Sequence, residues 1–199
     1  MGQRLNLEIR KKNKVLANAY YHWSAYTGSS YETLKDAYDY IRMNPISDSK
    51  LLAVRALEAT GAGMDEADID YMHSFRKYST LDFKPCRGRN EGILGVCPES
   101  IGSTQDWAEG TAVLEIDDLD DIRINFDIFS YYDNEDEYIH DCLEDDPQAI
   151  QDFKDHIVDR KDLSDDNLSF DDLTQLVVET VDNGRFVRVC NGTLLGELG

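Results

Sequence analysis

What most restricts the fold of this chain is the order in which its apolar periods change. Leu5, Leu7 and Ile9 alternate with Asn6, Glu8 and Arg10, the period-2 pattern of a strand with one buried face. Lys12-Asn13-Lys14 interrupts it and the aromatic-rich stretch 15–24 resumes it, so a hairpin is predicted. Thr27-Gly28 then breaks the strand. Ser29-Ser30-Tyr31-Glu32 has capping-box spacing, and Tyr31, Leu34, Tyr38 and Ile41 share a helical face up to Asn44-Pro45. Two more helices are predicted at 49–60 and 65–78. The first turns Leu51, Val54 and Leu57 inward and stops at Gly61; the second carries Ile69, Met72 and Phe75 on a stripe.

Strands return after Cys86. Segment 93–97 is short and apolar. Segments 111–116 and 122–131 predict an antiparallel pair across the turn Asp117-Asp118-Leu119-Asp120-Asp121, with Ile122, Ile124, Phe126 and Ile128 on one face. Asp146-Pro147 opens a helix that groups Ile150, Phe153 and Ile157. Another helix at 169–181 carries Leu173, Leu176 and Val177 and stops at Asn183-Gly184. Asn191-Gly192, between 186–190 and 193–195, is a hairpin signal. This order predicts an α+β protein, an antiparallel sheet built from hairpins with several packed helices. Residues 1–84 form a hairpin plus helices, and 85–199 an acidic α+β region packed with the first part as one unit.

Charge divides at nearly the same place. Residues 1–104 hold 14 Lys/Arg and 13 Asp/Glu, whereas 105–199 hold 6 and 27, so the net charge of −20 belongs to the second half. Such a block repels nucleic acid and attracts basic surfaces over a Debye length of about 8 Å. Direct nucleic-acid binding is therefore not expected, since the one basic patch, Lys84 with Arg87 and Arg89, is small. At 199 residues and 41% apolar content the chain can bury a real core. Its start lacks an apolar signal region, Asn6 replaces the Ser or Thr of a myristoylation pattern, and no run nears membrane length. Cys86, Cys97, Cys142 and Cys190, separated by 10, 44 and 47 residues, read as free thiols of a cytoplasmic protein.

The residue patterns assign no catalytic centre, metal or cofactor. Asp133, Glu135, Glu137 and Glu144 occupy positions 1, 3, 5 and 12 of an EF-hand loop, but Tyr138 stands where that loop needs glycine. His22, His73, His140 and His156 have no nucleophile at signature spacing, and GxSxG, HExxH and phosphate-cradling loops are missing from the sequence. The composition leans away from an enzyme; an enzymatic alternative would use His22 or His140. The combination of acids and aromatics carries more. Asp117, Asp118, Asp120, Asp121, Asp127, Asp133, Glu135, Asp136 and Glu137, with Tyr131 and Tyr132, form the candidate partner-binding set. If 131–138 is extended, Asp133, Glu135 and Glu137 line one face about 6.5–7 Å apart, close to phosphate spacing. An acidic face that is merely solvated is the competing explanation.

Three segments carry a family resemblance: Asn18-Ala19-Tyr20-Tyr21-His22-Trp23-Ser24-Ala25-Tyr26-Thr27-Gly28, Arg89-Asn90-Glu91-Gly92, and Gln105-Asp106-Trp107-Ala108-Glu109-Gly110. They resemble segments of small proteins encoded by phages and prophages of Gram-positive bacteria. The resemblance implies a genetic setting in which small acidic proteins act against host defences, and it implies no site residues. With the charge pattern it leads to an expected inhibitor of a host nucleic-acid-handling defence system, anti-CRISPR-like. Its acidic face, centred on 117–146, would occupy the basic groove of a nuclease or other nucleic-acid-binding protein. The alternative is a non-enzymatic binding or assembly protein.

Overall fold

Strand β1 (Leu5–Lys11) lies inside a six-stranded sheet, although it comes first in the chain. The computed structural model describes residues 4–25, 27–88, 91–106, 108–126, 135–164, 167–190 and 192–196. β2 (Lys14–Tyr21) returns antiparallel to β1 through a two-residue turn. Lys12 and Asn13 there take φ of 51° and 57°, the left-handed pair that a tight hairpin requires. Pairing shifts between Ile9 and Arg10, leaving Leu16 as the bulged residue. The other strands are β3 (Gly63–Met64), β4 (Ile93–Gly95), β5 (Gly110–Glu115) and β6 (Arg123–Phe126), in the order β3-β4-β2-β1-β5-β6.

The expected hairpins form: β1 with β2, β5 with β6, and, in a separate three-stranded sheet, β8 (Phe186–Val189) with β9 (Leu194–Leu195). The sheets are not purely antiparallel, however. β5 runs parallel to β1, β3 parallel to β4, and β7 (Ile157–Arg160) parallel to β8. The reason is connectivity. Each of these pairs is joined through at least one helix, and a crossover returns the chain in its original direction. Strands of residues 1–84 and 85–199 thus share one sheet.

Among the described residues there are seven α-helices. α1 (Thr27–Met43) starts two residues before the Ser29 box, and Ser30 Oγ donates instead to the Ser24 carbonyl at 2.5 Å. α2 (Ser49–Ala59) is capped by Asp48, whose carboxylate accepts from the Lys50 and Leu51 amides, and it buries Leu52, Ala53, Val54, Ala56 and Leu57. α3 (Glu66–Ser74) follows the Asp65 cap. α4 (Pro98–Gln105) opens with Pro98 directly after Cys97. α5 (Glu135–Cys142) and α6 (Pro147–Asp155) follow the larger sheet, and α7 (Phe170–Val177) runs on into a π-helical turn, Val178–Asp182. Ile157, expected on the α6 face, instead begins β7. The β-branched pair Ile157-Val158 follows the His156 cap.

Leu5, Leu7, Ile9, Ala17, Ala19, Tyr21, Ala112 and Leu114 share one face of the large sheet and are buried in the core with α1 and α2. Burying each large aliphatic side chain contributes about 1.5–3 kcal/mol. The core continues into the small sheet. Tyr31 and Tyr38 of α1 stack on Phe170, centroids 5.7 and 4.2 Å apart, and Leu168 exchanges backbone hydrogen bonds with Ile124. No helix among the described residues is long and apolar enough to cross a membrane.

Candidate acidic interface

The densest charge lies on α5, α6 and their connection. Acidic residues in the first turn of a helix are favoured by its positive end, and Glu135, Asp136 and Glu137 all stand there in α5. α6 forms because the Asp146 carboxylate accepts from the Gln148 amide at 2.9 Å, with Pro147 in the first turn. Gln148 and Gln151 donate to Asp152 and Asp155 one turn on, at 2.8 and 2.9 Å. The helices are held to the small sheet by three rings: Tyr138, Phe153 and Phe186 stand 4.8–5.0 Å apart, centroid to centroid. Each pair is worth about 0.5–1.5 kcal/mol beyond its buried area.

Those anchors turn the charge outward. Residues 135–155 contain nine carboxylates and one lysine, Lys154, and every one of the nine except Glu135 is exposed. Glu135 is the half-buried member. It accepts from Arg188 of β8 at 2.6 Å and lies 3.7 Å from Lys154. Arg188 also grips Asp159 at 2.7 Å and holds that carboxyl below the usual aspartate range. Carboxylate acceptors and negative potential dominate the array, so cations and N–H donors are the chemistry it favours.

The turn 117–121 is exposed too, but its carboxylates are already engaged. Asp117 accepts from the Lys12 amide at 2.5 Å and thereby closes the β1–β2 turn against β5. Arg42 donates to the Leu119 carbonyl at 2.5 Å and comes within 3.6 Å of Asp120, while Arg123 meets Asp121 at 3.0 Å. Asp118 accepts from the Asp120 amide. Asp127, Tyr131, Tyr132 and Asp133 lie outside the described residues. The extended face expected over 131–138 does not extend through its second part. Glu135–Cys142 is helical, which turns Glu135 and Glu137 about 200° apart around the axis. The same helix excludes an EF-hand loop at these positions.

The histidines are scattered. His22 Nδ1 lies 2.9 Å from the Tyr20 hydroxyl with Trp23 edge-on to its ring. His73 Nε2 donates to the Leu81 carbonyl at 2.9 Å, and His140 is exposed on α5. Among the described residues no three His, Cys, Asp or Glu side chains gather as a metal set.

Two polar constellations escape the sequence patterns. On the sheet face opposite α1 and α2, Asn6, Glu8 and Asn18 are buried although their alternation reads as solvent-facing. Glu8 accepts from Asn6 at 2.8 Å, Arg10 at 2.7 Å and Gln105 at 2.5 Å, and Asn18 donates to Thr104 at 2.6 Å. α4 is the lid over them. The second lies at the start of α4, where the buried Asp68 carboxylate accepts from the amides of Val96 and Cys97 and from Ser100 Oγ. Cys97-Pro98, a cap followed by proline, was the available signal for that helix. No family model matches the chain, and comparison with curated proteins and with solved structures found no match.

Proposed function

We propose that this chain is a phage- or prophage-encoded inhibitor of a host nucleic-acid-handling defence system, acting in the cytoplasm. In this reading the acidic array of 135–155 occupies the basic groove of a nuclease or related protein and excludes its nucleic acid. The supporting observation is the ratio of nine carboxylates to one lysine on a surface anchored from behind by three aromatic rings. The turn 117–121 takes a secondary part, because Arg42, Arg123 and the Lys12 amide already engage three of its aspartates.

The test is capture from a nuclease-treated bacterial lysate on the immobilised protein, eluted by salt, beside the variant Asp136→Asn/Asp141→Asn/Glu144→Gln/Asp145→Asn. The proposal expects a nucleic-acid-binding partner whose affinity falls up to about 10³-fold between 50 and 200 mM salt for some six phosphate-like contacts. The variant should lose at least a factor of about ten. Retention that ignores both salt and the variant overturns the electrostatic mechanism and leaves a solvated acidic face.

A further inference from the structure

The outer side of β3 shapes a groove whose charges find no partner within the chain. The Met64 amide donates to the Lys84 carbonyl at 2.9 Å and the Met64 carbonyl accepts from the Cys86 amide at 2.7 Å, so segment 84–86 runs parallel beside β3. Gly63 permits the approach, because its missing Cβ would meet the Pro85 backbone. α3 departs from β3 directly after Met64, through the Asp65 cap. Between these elements lies a groove of about 700 Å³ with Met64, Ile69, Pro85 and Ile93 as apolar lining and Glu66 and Arg87 as charged lining. Its volume falls in the range of about 300–1,000 Å³ usual for small-ligand sites. Asp65 also lines it, but its carboxylate accepts from the Asp68 amide at 2.9 Å.

The chain has 20 Lys/Arg against 40 Asp/Glu, so its cations have carboxylates in excess. Arg87 nevertheless has no ion pair or side-chain hydrogen bond among the described residues, and neither has Glu66. Both are exposed and line the same groove without pairing with each other. Lys84, which the sequence groups with Arg87, donates instead to the Gly61 carbonyl. An apolar floor with a free guanidinium and a free carboxylate fits a ligand that carries both charges on an apolar body. We propose that the groove binds an apolar dipeptide with free termini. Arg87 donates to the terminal carboxylate, Glu66 accepts from the terminal ammonium, and a side chain packs on Met64, Ile69 and Ile93. An anion would be repelled by Glu66 and by the net charge of −20, and a cation would leave Arg87 unpaired beside it. The two lining charges do not meet across a groove of this volume, which favours a dipeptide over a single amino acid. The site shares no residue with the acidic array of 135–155 and does not depend on it.

The experiment titrates leucyl-leucine into the nitrogen-15-labelled chain at about 150 mM salt, which screens the net charge. Saturable shifts are expected at the amides of Met64, Glu66, Ile69 and Arg87. Leucyl-leucinamide, without the carboxylate, and N-acetyl-leucyl-leucine, without the ammonium, should each bind about three- to tenfold more weakly. Arg87→Gln should weaken the dipeptide by a similar factor and abolish its advantage over the amide. Glu66→Gln should abolish its advantage over the acetylated peptide. Both residues are exposed, so neither variant should disturb the fold, and circular dichroism checks this. Shifts that do not saturate, or three peptides that bind the wild-type chain alike, overturn the proposal. So does an Arg87→Gln variant that still separates the acid from the amide.

Discussion

Glu135 in the first turn of α5 and Arg188 in the middle of β8 meet at 2.6 Å, so the acidic helix is pinned to the small sheet through one of its own carboxylates. Arg188 is partly exposed and shares its charge with Asp159. Arg188→Ala should therefore cost only about 0.5–1 kcal/mol at low salt, and less at 1 M salt, where surface pairs are screened. Urea denaturation at the two salt concentrations checks this. A loss unchanged by salt would mean that packing of the guanidinium, and not its charge, holds α5.

Glu8 is 2% exposed and takes donors from Asn6, Arg10 and Gln105. Glu8→Ala leaves the buried Asn6 amide without its acceptor, while Arg10 and Gln105 can turn to solvent, and the expected loss is about 2–3 kcal/mol. Glu8→Gln keeps the shape and one acceptor, with a loss of about 1–2 kcal/mol. Equal losses in chemical denaturation would show that the carboxylate charge, and not its shape, holds the network.

Asp48 caps α2 and also receives Lys77 Nζ at 2.6 Å and the Tyr78 hydroxyl at 2.9 Å. Partial burial opposes its ionisation, but the bonds from Lys77, the Leu51 amide and Tyr78 prevail and hold it below its ordinary 3.8. A depressed carboxyl stabilises the fold above its unfolded pKa, and that stability is lost as pH falls through the folded value. Asp48→Ala should cost about 2–3 kcal/mol at pH 7, combining the lost cap with an unsatisfied Tyr78 hydroxyl. The gap from the wild type should narrow below pH 3.8. Stability measured across pH 2.5–7 on both proteins tests the sign (about the range over which such a carboxyl titrates).

Gly63 and Gly28 should respond oppositely to alanine. A Cβ on Gly63 would stand 2.7 Å from the Pro85 carbonyl carbon and oxygen, backbone atoms that have no rotamer to yield, whereas one on Gly28 in α1 meets nothing within 4 Å. Gly63→Ala should destabilise by about 1–3 kcal/mol. Gly28→Ala should stabilise by about 0.4–1 kcal/mol. Thermal melts of the two variants give the comparison directly.

Local chemistry made much of the fold legible. Lys12-Asn13-Lys14 marks β1–β2, Asn191-Gly192 marks β8–β9, and Asp146 caps the helix that Asp146-Pro147 announces, whereas the Ser29 box falls inside α1 and the caps at Asp48 and Ser169 emerge only in the structure. Strand direction was harder to read where a helix intervenes, because no residue of β5 records that it will lie beside β1 and not beside β6 alone. The polar alternation of β1 also misled. Asn6 and Glu8 look solvent-facing until α4 covers them, and α4 is eight residues with an internal Gly102, too short and weakly patterned to stand out. In the candidate interface the acidic composition was plain, but not its distribution. α5 begins at Glu135, where an extended face was expected, and whether Arg42 or Arg123 engages a given aspartate depends on contacts distant in sequence.

The earliest strand of the large sheet is an interior one. During synthesis β1 can pair with β2 at once, but its other edge waits for residues 110–115, with bonds such as Arg4 to Glu109 closing loops 105 residues long. Loops of that length form slowly and leave an edge exposed meanwhile. A chain halted before β5 would offer a bare row of amides and carbonyls to any other strand nearby, and the surface most prone to mispairing in the nascent protein is the one most deeply enclosed in the finished one.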